Sequence, residues 1–181
     1  MYKYCVDNNY GSGWNEKWGV KHFRIIENNL MKDEVVYLVF IGLHNYVSAT
    51  KNDSNFAYAI TNKRIMIAQK NATSGEKFQT VLLDNINDIT FKSGIVLATI
   101  TIDSIKETFN VGLSKMFADQ LNSKIHEVID KLKYNSQNSA VSESKVEISV
   151  ADEIKKFKEL LDMGALTQEE FDIKKKQLLN L

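Results

Sequence analysis

The stretch 56–69, FAYAITNKRIMIAQ, decides the fold that the sequence predicts. Two short runs of β-branched and aromatic residues flank a tight turn at Asn62-Lys63, which is the pattern of a β-hairpin. Side chains alternate between the two faces of a strand, so the hairpin should have one buried and one wetter face. The buried face is predicted to contain Ile60, Ile65 and Ile67. The wetter face is predicted to contain Tyr58, Arg64 and Met66.

Five further strands are predicted around this hairpin. The run 34–45, EVVYLVFIGLHN, is apolar on both faces, which suits a strand buried on much of both sides. The strands after the hairpin are separated by turn-forming pairs such as Ser93-Gly94. They are predicted at 78–83, 86–92, 95–103 and 105–111.

A helix is predicted on each side of the strands. In 15–29, Val20, Phe23 and Ile26 recur at three- and four-residue spacing. In 114–132 a longer apolar stripe would cover the open mouth of a small barrel. This stripe consists of Phe117, Leu121, Ile125, Val128 and Leu132. The predicted fold class is therefore α+β, a seven-stranded antiparallel barrel or sandwich capped by a C-terminal helix, with an N-terminal helix and a separate C-terminal helical hairpin.

The C-terminal part of the chain has a different composition. Residues 135–148 are rich in Ser, Asn, Gln and charge, which predicts a flexible linker. Residues 149–181 are predicted to form a helical hairpin, in which Gly164 ends the first helix and Thr167 with Glu170 forms a capping box for the second. One facing helix cannot cover all of its apolar side chains, so the hairpin should meet another surface. The predicted partner or oligomer interface is Ile154, Phe157, Leu161, Leu166, Phe171 and Leu178.

These residues carry two family resemblances. Over about 14–134, the turn phrase at 59–65 and the later pattern at 86–94 resemble the bacterial pleckstrin-homology-like domains, in particular the YokE-like branch. The tail at 149–181 is similar to SHOCT, a short C-terminal helical-hairpin module. The first resemblance implies a PH-like barrel as a scaffold for interactions. The second implies a role in association or docking. Residues 1–13 are expected to be an irregular lead-in.

Composition and charge exclude some partners. The 181 residues include 23 basic and 23 acidic side chains, so no net charge draws the chain to nucleic acid or to an anionic membrane. The single cysteine, Cys5, excludes an intramolecular disulfide. No run of about 18 apolar residues occurs. The cytoplasm is the expected compartment.

No catalytic, cofactor or metal residue is predicted. His22, His44 and His126 lie on three different elements without metal-ligand spacing, and no phosphate-binding glycine loop occurs. Cys5 is expected to be an exposed terminal thiol without a base. The loop 45–55 offers Lys51 against Asp53, too few cations for a phosphoinositide. The other basic residues near turns, Lys63, Arg64 and Lys92, are expected to be solvated edge charges.

Two classes of function remain open. The first is a non-enzymatic interaction module that binds a protein partner or a second copy of itself, with the tail promoting oligomerisation or docking. The second is a small-ligand or membrane-surface protein that uses the barrel mouth or the region of Trp14 and Trp18. Lipid binding is not expected, and a hydrolase or transferase has the least support.

Overall fold

The computed structural model describes residues 1–11, 15–72, 75–143 and 150–179. By internal contacts the chain divides into two compact units, Met1–Tyr134 and Asn135–Leu181. Trp14 lies outside the described residues.

Seven antiparallel strands form one curled half-barrel sheet in the first unit, which confirms the predicted fold class. Their order across the sheet is β4-β3-β2-β1-β7-β6-β5, so β4 and β5 are the edges. The strands are β1 Val36–His44, β2 Asn55–Thr61, β3 Arg64–Asn71, β4 Gly75–Leu82, β5 Ile86–Lys92, β6 Leu97–Ser104 and β7 Thr108–Ser114. Each prediction falls on one of these strands, with boundary differences of a few residues.

In the central hairpin β2–β3, the residues are distributed between the two faces differently from the prediction. Tyr58 is paired across the hairpin with Ile67, and both belong to the same buried cluster as Ile60 and Ile65. The predicted placement of Tyr58 was wrong because residues 58 and 60 are two apart and so share a face. Met66 does lie on the opposite face, but it is fully buried there. The sheet is therefore covered on both sides.

The first face of the sheet packs against helix α3, Lys115–Glu143. The predicted stripe is buried in one cluster with Phe40, Tyr58, Ile100 and Val111 of the sheet. Burying a side chain of this size contributes roughly 1.5–3 kcal/mol, so this face is a large part of the core. The capping role predicted for the C-terminal helix is confirmed.

The second face packs against α2, Glu16–Asn28, and α1, Tyr2–Asp7. Asn15 caps α2 by accepting a hydrogen bond from the Lys17 backbone N–H at 2.9 Å. The short helix α1 was not predicted. A Cβ atom at Gly19 would overlap the ring of Tyr2, so the absence of a side chain at 19 allows α1 to approach α2 closely.

Helix α3 continues past the predicted end at Leu132 as far as Glu143. Extending an existing helix avoids the cost of nucleation, so the polar residues after 134 can add turns. The first part of the predicted linker 135–148 is thus helical. Residues 144–148 lie outside the described residues, and flexibility of the linker remains a prediction.

The second unit contains the predicted hairpin of helices α4, Val150–Asp162, and α5, Gln168–Leu179. Gly164 lies between them with φ +73°, a left-handed conformation that favours glycine at a helix end. The helices contact each other, and Phe171 of α5 is buried.

Candidate functional site

The turn that carries the family phrase holds a buried ion pair. Arg64 donates from Nε to Glu34 Oε1 and from Nη2 to Glu34 Oε2, both at 2.8 Å, and their side chains are 9% and 0% exposed. Arg64 Nη2 also donates to the Asn29 carbonyl at 2.8 Å, and the Thr61 hydroxyl donates to Glu34. Arg64 holds the pKa of the Glu34 carboxyl at about 2. The prediction that Arg64 is a solvated edge charge was wrong.

The other residues of this turn also contact the segment that joins α2 to β1. Asn62 accepts from the Val35 backbone N–H at 2.8 Å and donates to the Asp33 carbonyl at 3.2 Å. Lys63 donates to the Lys32 carbonyl at 3.2 Å. The turn phrase therefore has a structural role, which is to fix the entry into the sheet. A sequence signal was present, since an acidic and a basic residue each border an apolar strand.

The three histidines lie on separate elements, α2, β1 and α3. Among the described residues there is no group of three or more His, Cys, Asp or Glu side chains that could hold a metal ion. His44 Nδ1 lies 2.8 Å from the Tyr58 hydroxyl, and burial lowers the pKa of this imidazole. His22 Nδ1 lies 2.7 Å from the Trp18 carbonyl oxygen, and its ring stacks on the indole of Trp18.

Cys5 is fully buried in the cluster beneath α1 and α2. Burial raises the pKa of its thiol to about 12. The prediction of an exposed terminal thiol was wrong because Cys5 lies on α1 and is buried in one cluster with side chains of α2 and of the sheet. A thiol in this environment stays protonated and is a poor nucleophile.

The loop between β1 and β2 is held by its own polar contacts. Asn45 donates to Asp53 at 2.8 Å, and the Lys51 backbone N–H donates to the Ser48 hydroxyl at 3.1 Å. These contacts shape the loop around a turn. Lys51 is exposed and is the one basic residue in the sequence of this loop.

In the C-terminal hairpin, the six predicted interface residues differ in how far they are buried. Phe171 is 8% exposed, and it is the one buried residue among 153–179. The remaining five are half-buried; they are Ile154, Phe157, Leu161, Leu166 and Leu178. The two helices contact each other, and these five side chains are only partly covered.

Other apolar side chains of the hairpin are more exposed than the predicted set. Met163 is 72% exposed and Ile173 is 57% exposed, and Leu160 and Leu179 are also exposed. The second helix starts with the predicted capping box, in which Glu170 accepts from the Thr167 backbone N–H at 2.9 Å and the Glu170 backbone N–H donates to the Thr167 hydroxyl at 3.3 Å. The capping box thus fixes the start of the second helix, and the surface of the hairpin carries exposed apolar side chains.

The described helices include none that is long and apolar enough to cross a membrane. The family model of the bacterial PH domain matches residues 30–131 of the sequence. The family model of the short C-terminal domain, SHOCT, matches residues 152–179. Both predicted resemblances are thus confirmed, in the predicted order. A search of curated proteins gives no match.

Three solved structures are similar in fold. The C-terminal domain of an unknown protein from Leishmania infantum is 15% identical, with a TM-score of 0.44, over 61% of this chain and 95% of that chain. A DUF1696 family protein with a pleckstrin-homology domain from Shewanella loihica PV-4 is 14% identical, with a TM-score of 0.43, over 62% and 91%. The hSac2 domain of the human phosphoinositide phosphatase Sac2 is 12% identical, with a TM-score of 0.46, over 68% and 86%.

The match to the PH family model spans more than half of the chain and covers the sheet and the first part of its capping helix. The chain therefore belongs to the bacterial PH domain family and carries a SHOCT module at its C-terminal end.

Proposed function

We propose that this protein is a non-enzymatic cytoplasmic interaction module in which the SHOCT hairpin joins two copies of the chain. The observation that carries the proposal is the exposed apolar surface of the hairpin, above all Ile173 at the centre of the outer side of α5. PH and SHOCT domains are typically non-catalytic modules, which agrees with this function. In the proposal, association of the hairpins brings two PH-like domains together.

The charges of α5 favour a second copy as the occupant of this surface. Glu169, Ile173 and Lys176 are spaced four and three residues apart, which places them on one face of the helix, and all three are exposed. An antiparallel pair of α5 helices related by a two-fold axis near Ile173 sets Glu169 of each copy opposite Lys176 of the other. Such a face is complementary to itself, as an isologous interface requires.

The half-buried residues Ile154, Phe157, Leu161, Leu166 and Leu178 take part indirectly. The two helices contact each other and Phe171 is buried. In the proposal, these five residues help to hold α4 against α5, so that the exposed face of α5 keeps its shape. The predicted interface set is thus the support of the interface more than its centre.

Light scattering of the full chain at submillimolar concentration tests the proposal. We expect the average mass to rise toward that of a dimer, and Ile173→Glu to return it to that of a monomer because a buried unpaired charge is strongly unfavourable. Ile105→Glu is the matched control, since Ile105 is 69% exposed on a turn of the PH-like domain. A dimer that Ile173→Glu leaves intact would contradict the proposal.

A charge exchange tests the two-fold arrangement separately. Glu169→Lys and Lys176→Glu should each weaken the dimer, because like charges then face each other across the axis. The double variant restores opposite charges and should recover most of the association. Circular dichroism checks that α5 stays helical in each variant. Failure of the double variant to recover, with helicity intact, would reject this geometry.

A further inference from the structure

A second feature of the PH-like domain is a cleft of about 420 Å³ between the first turns of α2 and the end of β3. Lys17, Trp18, Lys21 and His22 line it from α2, and Lys70 lines it from β3. The volume lies in the range of about 300–1,000 Å³ that is usual for small-molecule sites. The cleft therefore has room for a ligand larger than a simple ion.

The charges of the cleft are unbalanced. Within the described part of the chain, Lys17 and Lys21 form no ion pair. Lys70 is paired with Glu76 at 2.8 Å, so it is only partly available. Two unpaired ammonium groups one helical turn apart match a dianion, and lysine binds phosphate as a point charge.

His22 supplies an independent sign that a partner is missing. The residue is 1% exposed, and its Nε2 atom has no hydrogen-bond partner among the described residues. Nδ1 must donate to the Trp18 carbonyl, because a carbonyl oxygen only accepts, so Nε2 is the free position of the ring. Buried polar atoms without partners are uncommon and call for an explanation.

We propose that this cleft binds a small molecule with a phosphomonoester group and a planar apolar body. A phosphomonoester carries about −1.5 to −2 charges at pH 7, which matches the unpaired lysines. Its oxygens accept hydrogen bonds from Lys17 and Lys21, and its body lies against the partly exposed Trp18 side chain, which lines the cleft and stacks on the buried His22 ring. Neutral His22, which holds its proton on Nδ1, can then accept a hydrogen bond at Nε2 from a hydroxyl of the ligand.

Phenyl phosphate is a suitable probe, because it combines the dianionic ester with an aromatic ring. Calorimetric titration of the full chain should show saturable binding at millimolar concentration, and the ring resonances of His22 should shift. Phenol, which lacks the phosphate, should bind at least tenfold more weakly, since hydrogen bonds to charged groups have about this effect or more. Vesicles that contain phosphatidylinositol 4-phosphate offer the same ester on a lipid, and we expect no cosedimentation with them.

The variant Lys17→Gln/Lys21→Gln should weaken binding of phenyl phosphate more than tenfold. Lys106→Gln/Lys115→Gln is the matched control, because both lysines are exposed and line none of this cleft. Cosedimentation with the vesicles that the first double variant removes would support the site and identify a lipid as its source. Absence of saturable binding in both arms, or binding that the first double variant leaves unchanged, would overturn the proposal.

Discussion

The two units of this chain bury their apolar side chains to very different extents. The sheet of the PH-like domain is covered on one face by α3 and on the other by α1 and α2, and the central hairpin is buried on both sides. The C-terminal hairpin is a pair of helices, and among 153–179 only Phe171 is buried. A domain with two covered faces is complete by itself. A two-helix unit gains stability when another surface covers its outer face.

The largest expected effect concerns the buried ion pair of the PH-like domain. Arg64→Ala should lower the free energy of unfolding of this domain by about 3–5 kcal/mol, because it leaves the Glu34 carboxylate buried without its partner. Urea unfolding monitored by tryptophan fluorescence measures this. Lys70→Ala, at the exposed Lys70–Glu76 pair, should cost only about 0–1 kcal/mol. Equal losses for the two variants would contradict the structural role of the turn.

Acid should destabilise the same domain through the same carboxylate. The Glu34 pKa is lowered from 4.5 to about 2 in the folded state, mainly by the hydrogen bonds from Arg64. Its stabilisation is therefore present above pH 4.5 and is lost as the pH falls toward 2, by on the order of 3 kcal/mol. Burial also lowers the pKa values of His22 and His44 below 6.5. These two histidines therefore begin to destabilise the folded state at a higher pH than Glu34 does, as the pH falls below 6.5.

The acid effect can be measured as the free energy of unfolding against pH, in the wild type and in Glu34→Gln. Between pH 4.5 and 2, the free energy of unfolding of the wild type should fall as the Glu34 carboxylate is protonated. Glu34→Gln has no carboxyl at this position, so it should lack this part of the fall. A wild-type curve that is flat over this interval would show that the pair does not stabilise the folded state.

The smallest effects compare helix caps in the two units. Asn15→Ala removes the cap of α2 and Thr167→Ala removes that of α5, each at a cost of about 1 kcal/mol. The PH-like domain should stay folded after the first change, whereas the hairpin, with little buried surface, should lose a measurable part of its helix. Circular dichroism of the full chain distinguishes these results. Equal retention of helix would indicate that the hairpin is as stable as the domain.

Much of the fold could be predicted from the sequence because each strand has its own pattern. Turn pairs separate the strands, and the 117–132 stripe identifies the capping helix. The short helix α1 was missed because its six residues have no apolar period of useful length. The burial of Cys5 and Arg64 was missed for another reason. Both depend on contacts with residues distant in the sequence. Glu34 and Arg64 each border an apolar strand, but the local pattern does not show that the fold brings them together.

The candidate sites were predictable to different degrees. The hairpin and its capping box depend on neighbouring residues, so the sequence indicates them directly. Which apolar side chains face outward was harder to predict, because Ile173 is not among the six predicted interface residues and its exposure depends on how α4 packs on α5. The cleft at Lys17, Lys21 and Lys70 joins a helix to a strand far along the chain, and only the structure brings these residues together.

The most direct test of the account compares the mass of the full chain with that of a chain ending at Glu143. This truncation keeps the whole of α3 and removes α4 and α5. Light scattering over a range of concentrations should show the full chain approaching a dimer and the truncated chain remaining a folded monomer. A full chain that stays monomeric, or a truncated chain that associates equally well, would contradict the claim that the C-terminal hairpin joins two copies of this protein.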